Sequence, residues 1–256
     1  MAAGAGENIR VAIRVRNVIS REEAAKLEWR VDGSNVISAL DGSKKYQFDR
    51  VFNPNEGNSK VYEDIGFDVI ESALNGFNST IFAYGQTASG KTHTMLGSKL
   101  DPGIMRHGVD HIFDAIEQTP DKQFLLRVSY MEIYNEHVTD LLTGKTLSLK
   151  DDGSGQVAID GLTEVNIQSS DQVFAKIKEG NEVRKVGKTN MNDHSSRSHT
   201  IFRIIIESSD SQVDEVGNEA GRAIMVSHLN LVDLAGSERA SQTGATGERL
   251  REGNYL

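Results

Sequence analysis

Apolar and polar residues alternate from Ile9 to Arg16, with Ile9, Val11, Ile13 and Val15 on one face and Arg14 and Arg16 on the other. That is the pattern of a two-faced strand. Short strand-like pieces follow to Phe48. The period then changes: Val61, Tyr62, Ile65, Val69, Ile70, Ala73 and Leu74 recur at helical spacing. Residues 79–84 read as a buried strand, and Met105, Val109, Ile112, Phe113 and Ile116 mark a second helix. Residues 124–133 form a long strand candidate. Ser169 and Gln172 have the spacing of a capping box ahead of a helix that carries Val173, Phe174 and Ile177. Two strands, 200–206 and 224–233, flank an acidic segment at 210–221 that reads as a hairpin loop. Strands alternating with helices predict an α/β domain built on a mainly parallel sheet covered on both faces. No repeat, linker or low-complexity stretch interrupts it, so residues 1–8 read as a loose leader and 9–256 as one domain.

The candidate chemistry begins directly after the 79–84 strand. Gly85-Gln86-Thr87-Ala88-Ser89-Gly90-Lys91-Thr92 fits the G-x-x-x-x-G-K-[ST] pattern. Glycines let the backbone curl so that several N–H groups point at phosphate oxygens, and the start of a following helix adds partial positive charge. Lys91 then reaches the β- and γ-phosphates, and the Thr92 hydroxyl serves Mg²⁺. A chance match is expected in about one chain in a hundred of this length, and the preceding apolar strand lowers that further.

The 224–233 strand ends in Asp233, where a nucleotide hydrolase places the carboxylate that orients the magnesium shell. Gly236 follows, and without a Cβ its N–H can approach a γ-phosphate. An aspartate after a strand is ordinarily a turn or cap residue; the phosphate loop upstream tips the balance to function. Asn192-Asp193-His194-Ser195-Ser196-Arg197-Ser198-His199 packs hydroxyls, an amide and a cation into eight residues. On composition alone that segment is a polar loop.

Composition narrows the partners. The net charge is −9, with 38% hydrophobic and 25% charged residues. That balance disfavours a generic nucleic-acid binder. It also argues mildly against tight binding to an acidic filament by this chain alone. With no cysteine, disulfides and cysteine metal sites are excluded. The first residues lack an apolar segment, so no signal peptide is expected, and no run approaches membrane-span length. The scattered histidines show no zinc spacing.

Three stretches together carry a family resemblance. Phe82 through Met95, Asn192 to His199, and Asp233-Leu234-Ala235-Gly236-Ser237-Glu238-Arg239 resemble the phosphate loop, first switch and second switch of kinesin motor domains, in the family's order. The resemblance runs from about Ile9 to Asn254. Leu125 to Glu136 and Lys188 to Asn192 are similar to the centromere-associated branch.

The resemblance implies a P-loop NTPase fold with a mixed, mainly parallel central sheet. It implies ATP and Mg²⁺ as ligands, ATP hydrolysis, and microtubules as the track. The location it implies is cytoplasmic and cytoskeletal, at the spindle or kinetochore. Arg14, Arg16 and His93 match positions that line the adenine. Ser196 matches the serine near Mg²⁺, with Ser195 beside it. Arg197 and Glu238 match an ion pair between the switches, and Asn192 and Glu238 match groups around the attacking water. Metal-facing groups are then Thr92, Ser196 and Asp233.

The chain departs from the family in two places. Asn17 stands where the family carries proline beside the base. Beyond about Asn254 the family continues into track-binding helices and a last strand that enters the sheet, so the expectation is a motor domain lacking its C-terminal part. A missing interior strand would leave two unpaired edges. The family dimerises through a downstream coiled coil, so a monomer is expected here. The alternative reading is a non-motile nucleotide-binding fragment. A regulatory GTPase would need an Asn-Lys-x-Asp motif, of which Ser98-Lys99-Leu100-Asp101 is only an echo.

Overall fold

The computed structural model describes residues 9–18, 29–38, 42–151, 157–186, 196–210 and 224–238. The expected leader at 1–8 and the 210–221 loop, apart from Asp210, lie outside the described residues.

The chain opens with β1 (Ala12–Arg14), β2 (Trp29–Asp32), β3 (Asn35–Ser38), β4 (Lys45–Gln47) and β5 (Arg50–Phe52). β1 pairs in parallel with β5, and β2, β3 and β4 form a separate antiparallel sheet. On that small sheet Trp29 and Tyr46 lie 5.7 Å apart, both largely exposed. The strand expected from Ile9 to Arg16 is three residues long. Ile9 and Val11, expected to share a face with Ile13 and Val15, precede the strand and are exposed, and among the described residues β1 pairs with β5 alone.

A helical stretch follows as α1 (Asn58–Val61), a π-turn (Tyr62–Gly66) and α2 (Phe67–Leu74). The apolar stripe read from the sequence is present: Val61, Tyr62, Ile70 and Ala73 are buried. At the π-turn Tyr62 hydrogen-bonds His111 Nδ1 and His111 Nε2 meets Glu71 Oε1 at 2.8 Å. Burial, with a smaller contribution from Glu71, raises the Tyr62 phenol pKa well above its ordinary value.

The main sheet uses β6 (Ser79–Ala83), β7 (Lys122–Tyr134), β8 (His137–Asp140), β9 (Thr146–Asp151), β10 (Val157–Asp160), β11 (Val165–Ile167), β12 (His199–Asp210) and β13 (Met225–Asp233). Their order is β10-β9-β8-β7-β12-β13-β6, with β11 also on β7. The sheet is mixed, as expected. Among the described residues its parallel pairing is confined to β13 with β6, and the other ladders run antiparallel. The reason is chain connectivity: β7 to β10 follow one another through short connections, which force antiparallel neighbours. β6 also departs from expectation. Ile81 and Ala83 are buried but Phe82 is 63% exposed, since β6 is the edge strand of the described sheet.

The helices are completed by α3 (Lys91–Met95), α4 (Ile104–Glu117) and α5 (Ser170–Val186). α4 touches α1, α2, α3 and α5, making one connected layer. Its buried residues meet Leu126, Val128, Tyr130, Phe202, Ile204, Ile206, Leu229 and Leu231 in a single core. The opposite sheet face is more polar. There Arg127 pairs with Glu164 and Glu207, and Arg203 donates to Asn230. Ahead of α5, Ser169 Oγ accepts the Gln172 N–H at 3.3 Å, while Gln172 Oε1 accepts from Gln168 rather than from the capping serine.

Phe202 is fully buried and meets the Tyr130 ring edge-on at 5.4 Å. Phe202→Ala is expected to lower unfolding stability by about 3–5 kcal/mol. A urea titration followed by circular dichroism measures it.

Candidate functional site

Three strands bring the candidate segments to one end of the sheet. Glu132, Thr200, Asp233 and Ala83 stand side by side on β7, β12, β13 and β6. Beyond that row the chain leaves β6 into 84–90, enters β12 from 196–198, and leaves β13 into 234–238.

The 85–92 loop takes an unusual backbone path. Ala88 has φ 62° and Gly90 has φ 100°, both left-handed. Such turns aim successive N–H groups inward, and at Ala88 the conformation costs steric energy. Ser89 N–H donates to the Gln86 carbonyl at 3.1 Å and Ser237 N–H to the Gly85 carbonyl at 3.1 Å. The helix that follows, α3, has only five residues, so the loop's own N–H groups matter more than a helix dipole.

Lys91 Nζ donates to the carbonyls of Gly85 at 2.7 Å and Gln86 at 3.0 Å. Burial lowers its pKa, opposed by the Asp233 and Glu238 carboxylates. The Thr92 hydroxyl donates to Asp233 Oδ2 at 2.6 Å. Asp233 Oδ1 is buried and has no hydrogen-bond partner among the described residues.

The segment after Asp233 is tied to both neighbours. Gly236 N–H donates to the Ser196 carbonyl at 2.6 Å. Ala235 N–H donates to His199 Nδ1 at 3.1 Å, and burial lowers the pKa of His199 and so favours the neutral ring. Thr87 N–H donates to Glu238 Oε2 at 2.8 Å, and the Thr87 hydroxyl donates to Oε1. A Cβ on Gly236 would sit 2.4 Å from Glu238 and 2.6 Å from Thr87, so the absent side chain makes room for this contact.

At the other side of the loop, Arg14 Nη1 donates to Asn58 Oδ1 and to Thr94 Oγ1 at 2.7 Å. It is a strut between β1, α1 and α3. His93 Nε2 lies 3.8 Å from Asp101, and the His93 carbonyl accepts from Asn58 Nδ2 at 3.1 Å. Arg16 is half-buried and donates to the Asn17 carbonyl at 2.9 Å. Asn192 and Ser195 lie outside the described residues, so the structure places Ser196 and Arg197 of the first candidate switch but not those two.

A sequence model of the kinesin motor domain matches residues 12–256. The chain belongs to the kinesin motor-domain family. It is 51% identical to human centromere-associated protein E over 253 residues, covering 96% of this chain and 9% of that protein. It is 46% identical to the Arabidopsis thaliana kinesin-like protein KIN-7N, covering 98% of this chain and 30% of the relative. A solved fast kinesin superposes with a TM-score of 0.83 at 34% identity, over 95% of this chain and 70% of that one. The chain thus spans well under half the length of these curated relatives and most of the solved motor.

Within this kinesin fold, sequence reasoning did not single out Asn58, Asp101, Glu132 or Arg184. Asn58 is fully buried, with its side chain bonded to Arg14, His93 and Asp101. Nothing in the local pattern marks it. Ser98 Oγ accepts the Leu100 and Asp101 N–H groups, so the faint GTPase echo is a turn that presents Asp101 to Asn58. Glu132 did leave a signal, being an acid between Met131 and Ile133 in an apolar strand.

Burial opposes the Glu238 charge, but the Thr87 hydrogen bonds and Lys91 outweigh it and hold the carboxyl below its ordinary 4.5. A lowered carboxyl pKa favours the folded contact above that ordinary value and loses it as pH falls through the lowered one. The Thr87 amide resonance is therefore expected to stay constant from neutral pH down to 4.5 and to shift below it. In Glu238→Gln that titration is absent.

Proposed function

We propose that this chain binds Mg·ATP in the 85–92 loop and hydrolyses it as the nucleotide engine of microtubule-based movement. The observation that carries the reading is the convergence of Lys91, the Thr92–Asp233 pair and the Gly236–Ser196 bond at one end of the sheet. Each is a group that a terminal phosphate can re-partner.

The oxygen donors suit Mg²⁺. Asp233 Oδ1 is buried and unpartnered among the described residues, and the Thr92 hydroxyl lies against the other carboxylate oxygen; hard oxygen ligands of this kind favour a small divalent cation. Thr92, Ser196 and Asp233 would hold the ion, in part through water. When bound, it neutralises charge on the phosphate oxygens.

The chain's own groups do the rest. Lys91 exchanges two loop carbonyls for phosphate oxygens, and the N–H groups of 86–92 surround them. Gly236 N–H exchanges the Ser196 carbonyl for a γ-phosphate oxygen. Glu238 leaves Thr87 to pair with Arg197, so the two switches close together. Asn192, Ser195, Ser196 and Glu238 then hold the attacking water in line, and preorganised donors stabilise the developing charge. Arg14, Arg16 and His93 border the base, with Asn17 offering it less apolar surface than a proline.

The track is a microtubule and the setting the cytoskeleton, at the spindle or kinetochore in the manner of the centromere-associated relative. The second reading is a non-motile nucleotide binder, favoured by the net charge of −9, which opposes a tight grip on an acidic filament. Co-sedimentation with microtubules in ADP and in a non-hydrolysable ATP analogue decides. Nucleotide-dependent pelleting supports the motor; none in either state supports the binder.

Two substitutions test the mechanism. Lys91→Ala is expected to abolish Mg·ATP binding in a calorimetric titration. Glu238→Ala is expected to bind the nucleotide yet turn over about 100-fold more slowly or worse. Hydrolysis at the parent rate would remove Glu238 from the scheme.

A further inference from the structure

A buried charge pair sits directly behind the first switch. Arg184, near the end of α5, meets Glu132 of β7 at 2.9 Å, with side chains only 12% and 8% exposed. The same guanidinium donates from Nη2 to Ser198 Oγ at 2.8 Å, and Ser198 is buried. Ser198 stands between two residues that accept from the second switch: the Ser196 carbonyl from Gly236, and His199 Nδ1 from Ala235.

We infer that Arg184, oriented by Glu132, is a positioning residue for nucleotide turnover, because through Ser198 it fixes the Ser196 carbonyl against the Gly236 N–H. This rests on reading the 85–92 loop as an ATP site.

Stability alone does not account for the pair. Two charges taken out of water lose hydration that their attraction barely recovers, and an apolar pair of the same volume would hold helix to sheet as well. An apolar pair could not donate to Ser198. The planar guanidinium carries several donors at fixed angles, so orienting it on Glu132 also sets the direction of its bond to Ser198. A lysine would supply a charge without that fork.

The consequence reaches the switch by competition. Gly236 has one N–H proton, which serves either the Ser196 carbonyl or a γ-phosphate oxygen. A carbonyl held at a fixed height gives that exchange two defined states. A carbonyl free to drift leaves Ser196 and Arg197 poorly placed when the nucleotide is bound. Substrate affinity resides mainly in the 85–92 loop, so the loss falls on the chemical step.

The test uses the full chain with Ser198→Ala, Arg184→Met and Arg184→Lys. The first readout is hydrogen exchange at the Gly236 amide, which does not depend on activity. Ser198→Ala and Arg184→Met are expected to exchange there about tenfold faster than the parent. The second readout is steady-state ATP turnover. Both variants are expected to lose about tenfold in kcat with KM for ATP within about twofold, and Arg184→Lys is expected to fall between them and the parent.

Parent-like exchange at Gly236 in Ser198→Ala overturns the inference. So does an equal loss in binding, turnover and melting temperature, which marks a purely structural clip. If Arg184→Met does not fold, Ser198→Ala decides, since it leaves the Arg184–Glu132 pair intact. A parent chain that neither binds nor hydrolyses ATP defeats the proposed function instead, while the exchange comparison still judges the link from Arg184 to Gly236.

Discussion

β13 pairs antiparallel with β12 on one side and parallel with β6 on the other, and that double pairing makes the site. Because successive side chains on a strand face opposite ways, a slip of one residue would turn Asp233 away from Thr92. Nine register pairs with β12 and five with β6 hold it in place. The packing beneath, through Leu229, Leu231, Phe202 and Ile204, favours the same register, since each alternate residue is buried on the helical layer. The chemistry at the sheet's end is therefore fixed by hydrophobic burial along its length.

The acidic groups at that end each find a specific donor. Asp233 has Thr92, Glu238 has Thr87, and Glu132 has Arg184. A chain with net charge −9 would otherwise repel the phosphates it is proposed to bind. The left-handed turns at Ala88 and Gly90 supply N–H groups in compensation, at a cost in backbone strain that the surrounding contacts must hold. Lys91, partly buried, adds a cation whose charge Asp233 and Glu238 help to sustain against burial.

Much of this was legible in the sequence, and the limits have physical reasons. The helical stripe through Val61 and Ala73, the α4 stripe and the long β7 and β12 strands follow from periodicity, because burial on one face imposes it. Strand direction did not follow, since alternation between strands and helices predicts crossovers, whereas β7 to β10 return on themselves. The exposure of Phe82 depends on β6 lying at an edge of the described sheet, a property of the assembled sheet and not of the strand. Lys91, Thr92 and Asp233 could be singled out because the chemistry expected of them demands a motif. Asn58 and Arg184 were not, because their partners lie far away in the chain and no local pattern encodes them.

The only tryptophan, Trp29, sits on the small β2–β3–β4 sheet beside Tyr46 and is 43% exposed. The principal core contains none. Indole fluorescence thus reports on this small, separately paired sheet, and a melt followed at that wavelength records its fate. The events at Lys91 and Gly236 are optically silent there, so a chromophore placed near the 85–92 loop is needed to watch them.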